Sequence, residues 1–202
     1  MLKFLFLIVS LLLIAAGCGP TTPPDRSTTH GTTKPVYPIV VVPPAKPQKP
    51  IDNYVPGVRN FGFISADVWR GGKPSALGFE ILKGMGVATI IDLQEEDESK
   101  DVPAGVNYVP IRVSQWKCNH VDVDAVLKAI EKSPKPVYIH CLEGRDRTGL
   151  AVAAYRLSRG MKVDDAITEL NAFRVNFWWR GRITDRIRQL DAQHSAQTSK
   201  MP

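Results

Sequence analysis

The residues best suited to chemistry lie in one contiguous stretch, where five positions separate Cys141 from Arg147. The apolar residues 137–139 precede the cysteine, and the helix-forming run 150–155 follows the arginine. This order predicts a strand, a tight loop that contains Gly144, and a helix. A loop that enters a helix N-terminus collects backbone N–H groups at the positive end of the helix dipole. The stretch therefore predicts an anion-binding concavity that carries a thiol and a guanidinium.

The residue types at this site favour thiolate chemistry on a phosphate group. A thiol beside a guanidinium at a helix N-terminus is favoured as the thiolate, which is the nucleophilic form. Arg147 can offer two parallel N–H bonds to phosphate oxygens, which lysine cannot do. The hydroxyl of Thr148 can donate a hydrogen bond to the sulfur of Cys141 and stabilise it as a leaving group. Gly144 permits the backbone conformation that such a loop needs.

The motif His140-Cys141-x5-Arg147-Thr148-Gly149 resembles the active-site signature of the cysteine-dependent phosphatases, the protein tyrosine phosphatase superfamily. The short dual-specificity members and the bacterial phosphatase-like phytases are similar to this chain in size. The resemblance implies a phosphoric monoester hydrolase that forms a phosphocysteine intermediate and needs no cofactor. It also implies a phosphate-binding loop made of Leu142, Glu143, Gly144, Arg145, Asp146 and Arg147.

The general acid of the reaction is not evident from the motif. In the dual-specificity families an Asp follows the strand before the catalytic one, and the nearest position here is Gln115, which cannot donate a proton usefully. Asp146, inside the loop, is the preferred replacement, because some superfamily members with an Asp-Arg-Thr ending resemble it. Asp122 or Asp124 could also reach the site, or could be helix N-caps, and His120 is a further candidate.

Asp146 and Cys118 each allow two interpretations. Asp146 could instead form a structural salt bridge with Arg145 or Arg112. Cys118 lies on the loop that is expected to face the site, and in an oxidising compartment it could form a reversible disulfide with Cys141. A half-buried free thiol is the simpler interpretation of Cys118.

The N-terminal segment predicts export and lipid anchoring. Residues 1–17 combine a basic start, an apolar run and small residues, as a signal peptide does. Cys18 directly follows Ala-Ala-Gly, which resembles the bacterial lipoprotein signals in which this cysteine is diacylated; an ordinary export signal or a membrane anchor is the alternative. Residues 18–50 hold nine of the chain's 16 prolines and predict an extended tether. Gly19 resembles the outer-membrane sorting pattern, so an outer-membrane, periplasmic or cell-surface location in a bacterium is expected.

Residues 51–202 are predicted to form one phosphatase domain with an α/β fold. Strands are predicted at 68–70, 87–93, 108–113 and 137–141, and helices at 75–83, 124–132, 150–155, 164–173 and 183–193. Strands that alternate with helices imply a mostly parallel central sheet with helices on both faces and a site at the carboxyl ends of its strands. Phe61 and Phe63 are expected to pack inward. The acidic run 95–98 is predicted to be a solvated surface loop.

The substrate is predicted from charge and location. The formal net charge of +6 fits an anionic substrate, and five arginines gather near the C-terminus with Trp178 and Trp179: Arg174, Arg180, Arg182, Arg186 and Arg188. This stretch either borders the pocket or is a solvated or membrane-facing surface. An exported enzyme favours an inositol polyphosphate or another small phosphomonoester, with a phosphoprotein as the alternative and anion binding without turnover as a third reading.

A monomer without a nucleic-acid partner is expected. The four His and three Cys show no metal-ligand spacing.

Overall fold

The computed structural model describes residues 54–198 of the chain. The predicted signal peptide (1–17), the lipidation site Cys18 and the tether (18–50) lie outside the described residues. Across residues 54–198, every helix is too short or too polar to span a membrane. The strands are β1 Gly62–Phe63, β2 Val68–Gly72, β3 Thr89–Asp92, β4 Asn107–Pro110 and β5 Val137–Cys141, and the helices are α1 Ala76–Gly84, α2 Val123–Lys132, α3 Asp146–Ser158, α4 Val163–Ala172 and α5 Phe177–Thr198.

The five strands form one sheet in the order β1-β2-β5-β3-β4. Strands β2, β5, β3 and β4 are parallel to one another, and only the two-residue β1 pairs antiparallel, with β2. The predicted α/β class with a mostly parallel sheet is confirmed. Because the four parallel strands share a direction, their carboxyl ends meet at one edge, where Cys141 lies opposite Gly72 and His140 lies opposite Asp92.

Helices cover both faces of the sheet, because alternate strand residues point to opposite sides. Trp69, Ile90 and Tyr138 pack with Phe61 and Phe63 on the face covered by α1. The neighbouring strand positions pack on the other face, against α2, α3, α4 and α5; they are Val68, Ile91, Val137 and Ile139. This second face has the larger core, and α3, which follows β5 in the chain, packs in it.

Several element ends differ from the sequence prediction. Helix α4 begins at Val163 with Lys162 at its N-cap, so Asp164 and Asp165 lie in its first turn and do not cap it. Helix α5 begins at Phe177, and residues 115–120 form a 3-10 helix that was not predicted. Ser75, the first residue of the predicted helix 75–83, is the N-cap of α1, since its hydroxyl accepts a hydrogen bond from the N–H of Gly78. Tertiary packing decides such ends more than local sequence does.

The acidic run 95–98 is not uniformly solvated, and this part of the prediction is wrong. Glu95, Glu96 and Asp97 are exposed, but Glu98 is buried, with 3% of its surface accessible. Its backbone N–H donates a hydrogen bond to the hydroxyl of Tyr108. The bend that this bond closes turns the Glu98 side chain inward, toward the carboxyl edge of the sheet.

Candidate active site

The strand, the loop and the helix of the motif are present in the predicted order. Cys141 is the last residue of β5 and is buried, and α3 begins at Asp146. Residues 142–147, which we call the catalytic loop, therefore join the carboxyl edge of the sheet to a helix N-terminus. This placement puts the thiol at the positive end of the α3 dipole, where an anion is stabilised.

Three consecutive carbonyl groups of the catalytic loop are held by hydrogen bonds from outside it. The bonds run from Lys73 N to Leu142 O (3.1 Å), from Asn60 Nδ2 to Glu143 O (2.9 Å) and from Arg70 Nη2 to Gly144 O (2.8 Å). In a trans peptide the N–H of the next residue points away from the carbonyl. The N–H groups of residues 143, 144 and 145 consequently turn away from these partners, as an anion-binding loop requires.

Gly144 is required by both conformation and space. Its φ angle is +67°, in the left-handed region that favours glycine. A Cβ atom placed there would lie 2.4 Å from the backbone carbon of Gly71. The loop therefore passes close over the end of β2, which brings it within reach of the side chains that hold it.

Arg70 is a buried cation beneath the catalytic loop. It is fully buried, and its guanidinium carbon lies 3.7 Å from the ring centre of Phe173. Burial lowers the pKa of Arg70 to about 10, and the charges of Glu169 and Cys141 act against that decrease. The side chain stays charged at neutral pH, so it adds positive potential under the loop and fixes the Gly144 carbonyl.

Arg147 is buried and is fixed at the carboxyl edge of the sheet. Its Nη1 atom donates to the carbonyl of Leu93, after β3, at 3.1 Å and to that of Val113, after β4, at 2.9 Å. The guanidinium thus joins the segments that follow β3 and β4, and Arg147 also lines a cavity beside the loop. A substrate phosphate there would meet a positioned arginine.

Thr148 and His140 are two further buried polar residues of the motif. The Thr148 hydroxyl is buried and has no hydrogen-bond partner among the described residues, so its proton is available beside the loop. His140 is fully buried and stacks on Tyr138 with ring centres 5.7 Å apart. Burial lowers the pKa of His140 to about 3, and the cation of Lys73 contributes, so the imidazole is neutral at physiological pH.

Asp92, Glu98 and His140 form a buried cluster that sequence reasoning did not anticipate. Their potential metal-ligating atoms lie within 4.8 Å of one another. Cations of the chain already lie there: Lys73 Nζ is 3.1 Å from Glu98 Oε1, and Arg112 Nη1 is 3.8 Å from Asp92 Oδ2. We call the cluster and these two cations the buried charge network, because Lys73 and Arg112 supply the positive charge that balances the two carboxylates.

Asp146 is half-buried at the start of α3. Its Oδ1 atom accepts a hydrogen bond of 2.7 Å from the N–H of Asn176. Burial raises the pKa of Asp146, and the Asn176 bond and the neighbouring arginines oppose this rise. The salt bridges considered from sequence are not formed, since Arg145 pairs with Glu143 and Arg112 pairs with Asp92 and Asp97. The carboxyl connects the catalytic loop to the start of α5.

The other predicted acids lie on nearby elements. Asp122 caps α2, because its Oδ1 accepts a hydrogen bond of 2.9 Å from the N–H of Ala125; this is the alternative role that the sequence offered. Asp124 is exposed in the first turn of α2, and His120 is exposed at the end of the 3-10 helix. Gln115 lines the same cavity as Arg147.

Cys118 is a buried thiol in the 3-10 helix. It donates to the carbonyl of Gln115 at 3.1 Å, and burial raises its pKa to about 12. Cys118 and Cys141 are both free thiols in this structure. The charge of Asp146 also raises the pKa of Cys118, so its thiol is protonated at neutral pH; the reversible disulfide with Cys141 stays a hypothesis.

Two depressions adjoin the catalytic loop and share Lys73 and Leu142. The smaller, of about 170 Å³, is the catalytic cavity; besides these two residues it is lined by Gln94, Glu95, Glu96, Glu98, Gln115 and Arg147. The larger, of about 790 Å³, is mostly apolar and includes Tyr54, Val58, Phe61 and Pro74; we call it the apolar groove.

The arginines near the C-terminus line neither depression. In that region Phe177 and Trp178 are exposed, and Arg182 stacks on Trp179.

Comparison with known proteins identifies relatives of this region. The family model described as "PTP-NADK: DSP-PTPase phosphatase fused to NAD+ Kinase" matches residues 63–177, which is more than half of the chain. The chain is 26% identical over 125 residues to the "Probable tyrosine-protein phosphatase DG1060" of Dictyostelium discoideum, covering 56% of this chain and 75% of that protein. It is 27% identical over 101 residues to the dual specificity protein phosphatase TpbA of Pseudomonas aeruginosa, covering 46% of this chain and 44% of that protein.

Solved structures show the same fold. The crystal structure of P. aeruginosa TpbA matches with a TM-score of 0.58 at 23% identity, covering 71% of this chain and 98% of that chain. The catalytic domain of SIW14 from S. cerevisiae, described as a PP-IP phosphatase, matches with a TM-score of 0.52 at 18% identity, covering 70% and 96%. The predicted architecture is therefore confirmed by relatives as well as by the sheet itself.

Proposed function

The chain belongs to the phosphatase family with a dual-specificity-type protein tyrosine phosphatase domain, and from that membership we propose that it hydrolyses phosphomonoesters through a phosphocysteine on Cys141. The observation that carries the proposal is the catalytic loop, with a thiol at its start, outward-held carbonyls and Arg147 fixed at its end. The chain is a phosphatase, and the proposal concerns its mechanism and its substrate.

The proposed reaction has two steps. In the first, the Cys141 sulfur attacks phosphorus, the bond from phosphorus to the ester oxygen breaks, and a carboxylic acid protonates that oxygen. In the second, water attacks the phosphocysteine, the sulfur–phosphorus bond breaks, and the carboxylate takes the proton from water. Arg147 and the loop N–H groups hold the phosphoryl oxygens in both steps, and the Thr148 hydroxyl donates to the departing sulfur. Among the acids considered from the sequence motif, Asp146 is the preferred one, with Asp122, Asp124 and His120 as alternatives.

The proposed substrate is an inositol polyphosphate or another small phosphomonoester, as expected for an exported enzyme. A phosphotyrosine protein is the second candidate, and two observations favour it. The catalytic cavity carries Glu95, Glu96 and Glu98 against the cations Lys73 and Arg147, which disfavours a dense cluster of phosphates. The apolar groove beside it suits an apolar leaving group.

The test compares three substrates with the full chain, under reductant and without metal. Phosphate release is measured from p-nitrophenyl phosphate, a phosphotyrosine peptide and inositol hexakisphosphate, each beside Cys141→Ser. We expect release that the substitution abolishes, and a phosphate adduct on Cys141 in acid-quenched enzyme. Release that survives Cys141→Ser overturns the mechanism. Phosphate binding without release from any substrate would instead support the anion-binding alternative.

We also propose that the chain is exported and lipid-anchored through Cys18, in the outer membrane, the periplasm or the cell surface of a bacterium, and that it is a monomer without a nucleic-acid partner. The lipoprotein-like sequence before Cys18 supports this location. Metabolic labelling with radioactive palmitate tests it, with Cys18→Ala as the control. Labelling of the parent chain that is absent from the variant is expected, and an unlabelled parent chain contradicts the proposal.

A further inference from the structure

We infer that Glu98, and not a residue of the motif or of the loop after β4, is the general acid of the reaction. The inference rests on the proposed thiolate mechanism, which requires an acid without identifying it. Glu98 lies on the connection between β3 and β4, residues 93–106, which we call the acidic connection. Its position in the catalytic cavity, beside Arg147, is the observation that carries the inference.

Glu98 combines burial with access to the cavity. Only 3% of its surface is accessible, and its Oε1 atom bonds to Lys73 at 3.1 Å and to the side-chain amide of Gln94. The Oε2 atom is buried and has no hydrogen-bond partner among the described residues. A buried carboxyl oxygen without a partner is costly when it is ionised, which favours the protonated form that an acid needs.

The other carboxyls near the loop are engaged elsewhere or stand apart from the cavity. One oxygen of Asp146 holds the N–H of Asn176, and an oxygen of Asp122 caps α2. Glu95 and Glu96 line the cavity but are exposed to water, so they lack the burial that distinguishes Glu98. Gln115 has no proton to give. Glu98 is thus the buried carboxyl that lines the cavity.

The charges around Glu98 suit a group that gives and retakes a proton. Burial raises its pKa, and so do the charges of Asp92 and Asp101, whereas Lys73 lowers it. The nearby imidazole of His140 is neutral, Tyr108 bonds to the backbone of Glu98 and to Asp92, and Arg147, Glu95 and Glu96 face the same cavity. Proton affinity is raised by desolvation and kept moderate by Lys73, as acid–base catalysis requires.

The proton balance closes over the two steps. Protonated Glu98 gives its carboxyl proton to the ester oxygen as that oxygen leaves phosphorus, and the alcohol departs neutral. The resulting carboxylate is stabilised by the ammonium group of Lys73, 3.1 Å from Oε1. In the second step the carboxylate takes a proton from the water that attacks the phosphocysteine, which restores the acid and releases phosphate.

The experiment compares Glu98→Gln with the parent chain on two aryl phosphates. Phenyl phosphate expels a phenol with a pKa of about 10, which needs a proton, whereas dinitrophenyl phosphate expels a stable phenolate that does not. We expect Glu98→Gln to lower kcat/KM for phenyl phosphate by about 10²–10⁴-fold and to change it little for dinitrophenyl phosphate. The alkaline decline of the pH profile, which reports the acid, should also disappear.

Two controls keep the outcomes distinct. Asp97→Asn removes an exposed carboxyl from the same connection, outside the cavity lining, and should leave both substrates unaffected. Glu98→Asp retains an acid with a shorter reach and should restore part of the phenyl phosphate rate, even where Glu98→Gln folds poorly. Equal losses on both substrates, or a selective loss in Asp146→Asn instead, overturn the inference. Inactivity of the parent chain on both substrates would refute the proposed function itself.

Discussion

The catalytic loop and the acidic connection leave the same edge of the sheet, but they are held in different ways. In the catalytic loop, three main-chain carbonyls accept hydrogen bonds from Lys73, Asn60 and Arg70. In the acidic connection, the side chain of Glu98 is held by Lys73. The first segment therefore presents main-chain N–H groups to a ligand, and the second presents one buried carboxyl, Glu98, although Arg112 also holds the carbonyls of Gln94 and Glu96.

This difference separates binding from proton transfer. Binding of a phosphoryl group needs many weak donors in a constant geometry, which a held backbone supplies. Proton transfer needs one group with the right proton affinity, which burial and a neighbouring charge supply. The two segments meet at Arg147, whose guanidinium bonds to Leu93 at the start of the acidic connection.

A large effect is expected of Arg147→Lys, which removes the group shared by both segments. Lysine cannot form a bidentate pair with phosphate while also bonding to two carbonyls. We expect kcat/KM to fall by about 10²–10³-fold, measured with p-nitrophenyl phosphate. The midpoint of thermal unfolding should also fall, because a lysine cannot bond to both carbonyls. Arg182→Lys, on the exposed face of α5, is the matched control. Activity within a few-fold of the parent would show that Arg147 is mainly structural.

Gly144→Ala and Gly105→Ala compare the two segments directly. Both glycines have a positive φ, +67° and +85°, but an added Cβ meets the backbone of Gly71 at position 144 and open space at position 105. We expect the free energy of unfolding to fall by about 3 kcal/mol for Gly144→Ala, from strain and overpacking. For Gly105→Ala we expect about 1 kcal/mol. Urea denaturation measures both, and equal losses would mean that the catalytic loop is not tightly held.

His140→Gln tests the buried charge network between the two segments through pH. Since burial lowers the pKa of His140 from 6.5 to about 3, the unfolded chain binds a proton below pH 6.5 that the folded chain does not. This residue's contribution to stability is present above that pH and is lost as the pH falls toward 3. The raised pKa values of Asp92 and Glu98 act in the opposite direction.

The comparison with the parent isolates the histidine. We expect the loss of unfolding free energy between about pH 7 and pH 5 to be about 2 kcal/mol smaller in His140→Gln, measured by urea denaturation at a series of pH values. Parallel stability curves for the two chains would show that His140 does not stay neutral in the fold.

The smallest expected effect is that of Asp122→Ala, which extends the comparison to the segment after β4. Loss of the N-cap bond to Ala125 should lower the free energy of unfolding by about 1 kcal/mol. The kcat/KM value should be unchanged, because the side chain is engaged at α2. Thermal unfolding and initial rates measure the two effects. A large loss of activity with unchanged stability would identify Asp122 as the acid instead.

The sequence predicts the strand, the loop and the helix around Cys141 and Arg147 well because these residues are contiguous. The spacing of Cys141, Gly144 and Arg147 predicts the tight loop, and the apolar runs on either side of it predict the strand and the helix. Glu98 could not be identified in this way, because it is one of several acidic residues in a short run. Its burial depends on Tyr108 and Lys73, which lie on other elements. The sequence offers one signal for Glu98: the acidic run 95–98 directly follows a predicted buried strand, so it lies near the carboxyl edge of the sheet.

The hydrogen bonds of Arg147 to Leu93 and Val113 also bear on how this enzyme can be lost in evolution. Replacing Cys141 by serine removes the proposed nucleophile but leaves the carbonyls of Leu93 and Val113 with their partner. Replacing Arg147 leaves two buried carbonyls unsatisfied, each at a cost of about 1–3 kcal/mol. Inactive descendants of this chain should therefore discard the cysteine and keep the arginine, and they would persist as folded proteins that still bind phosphate.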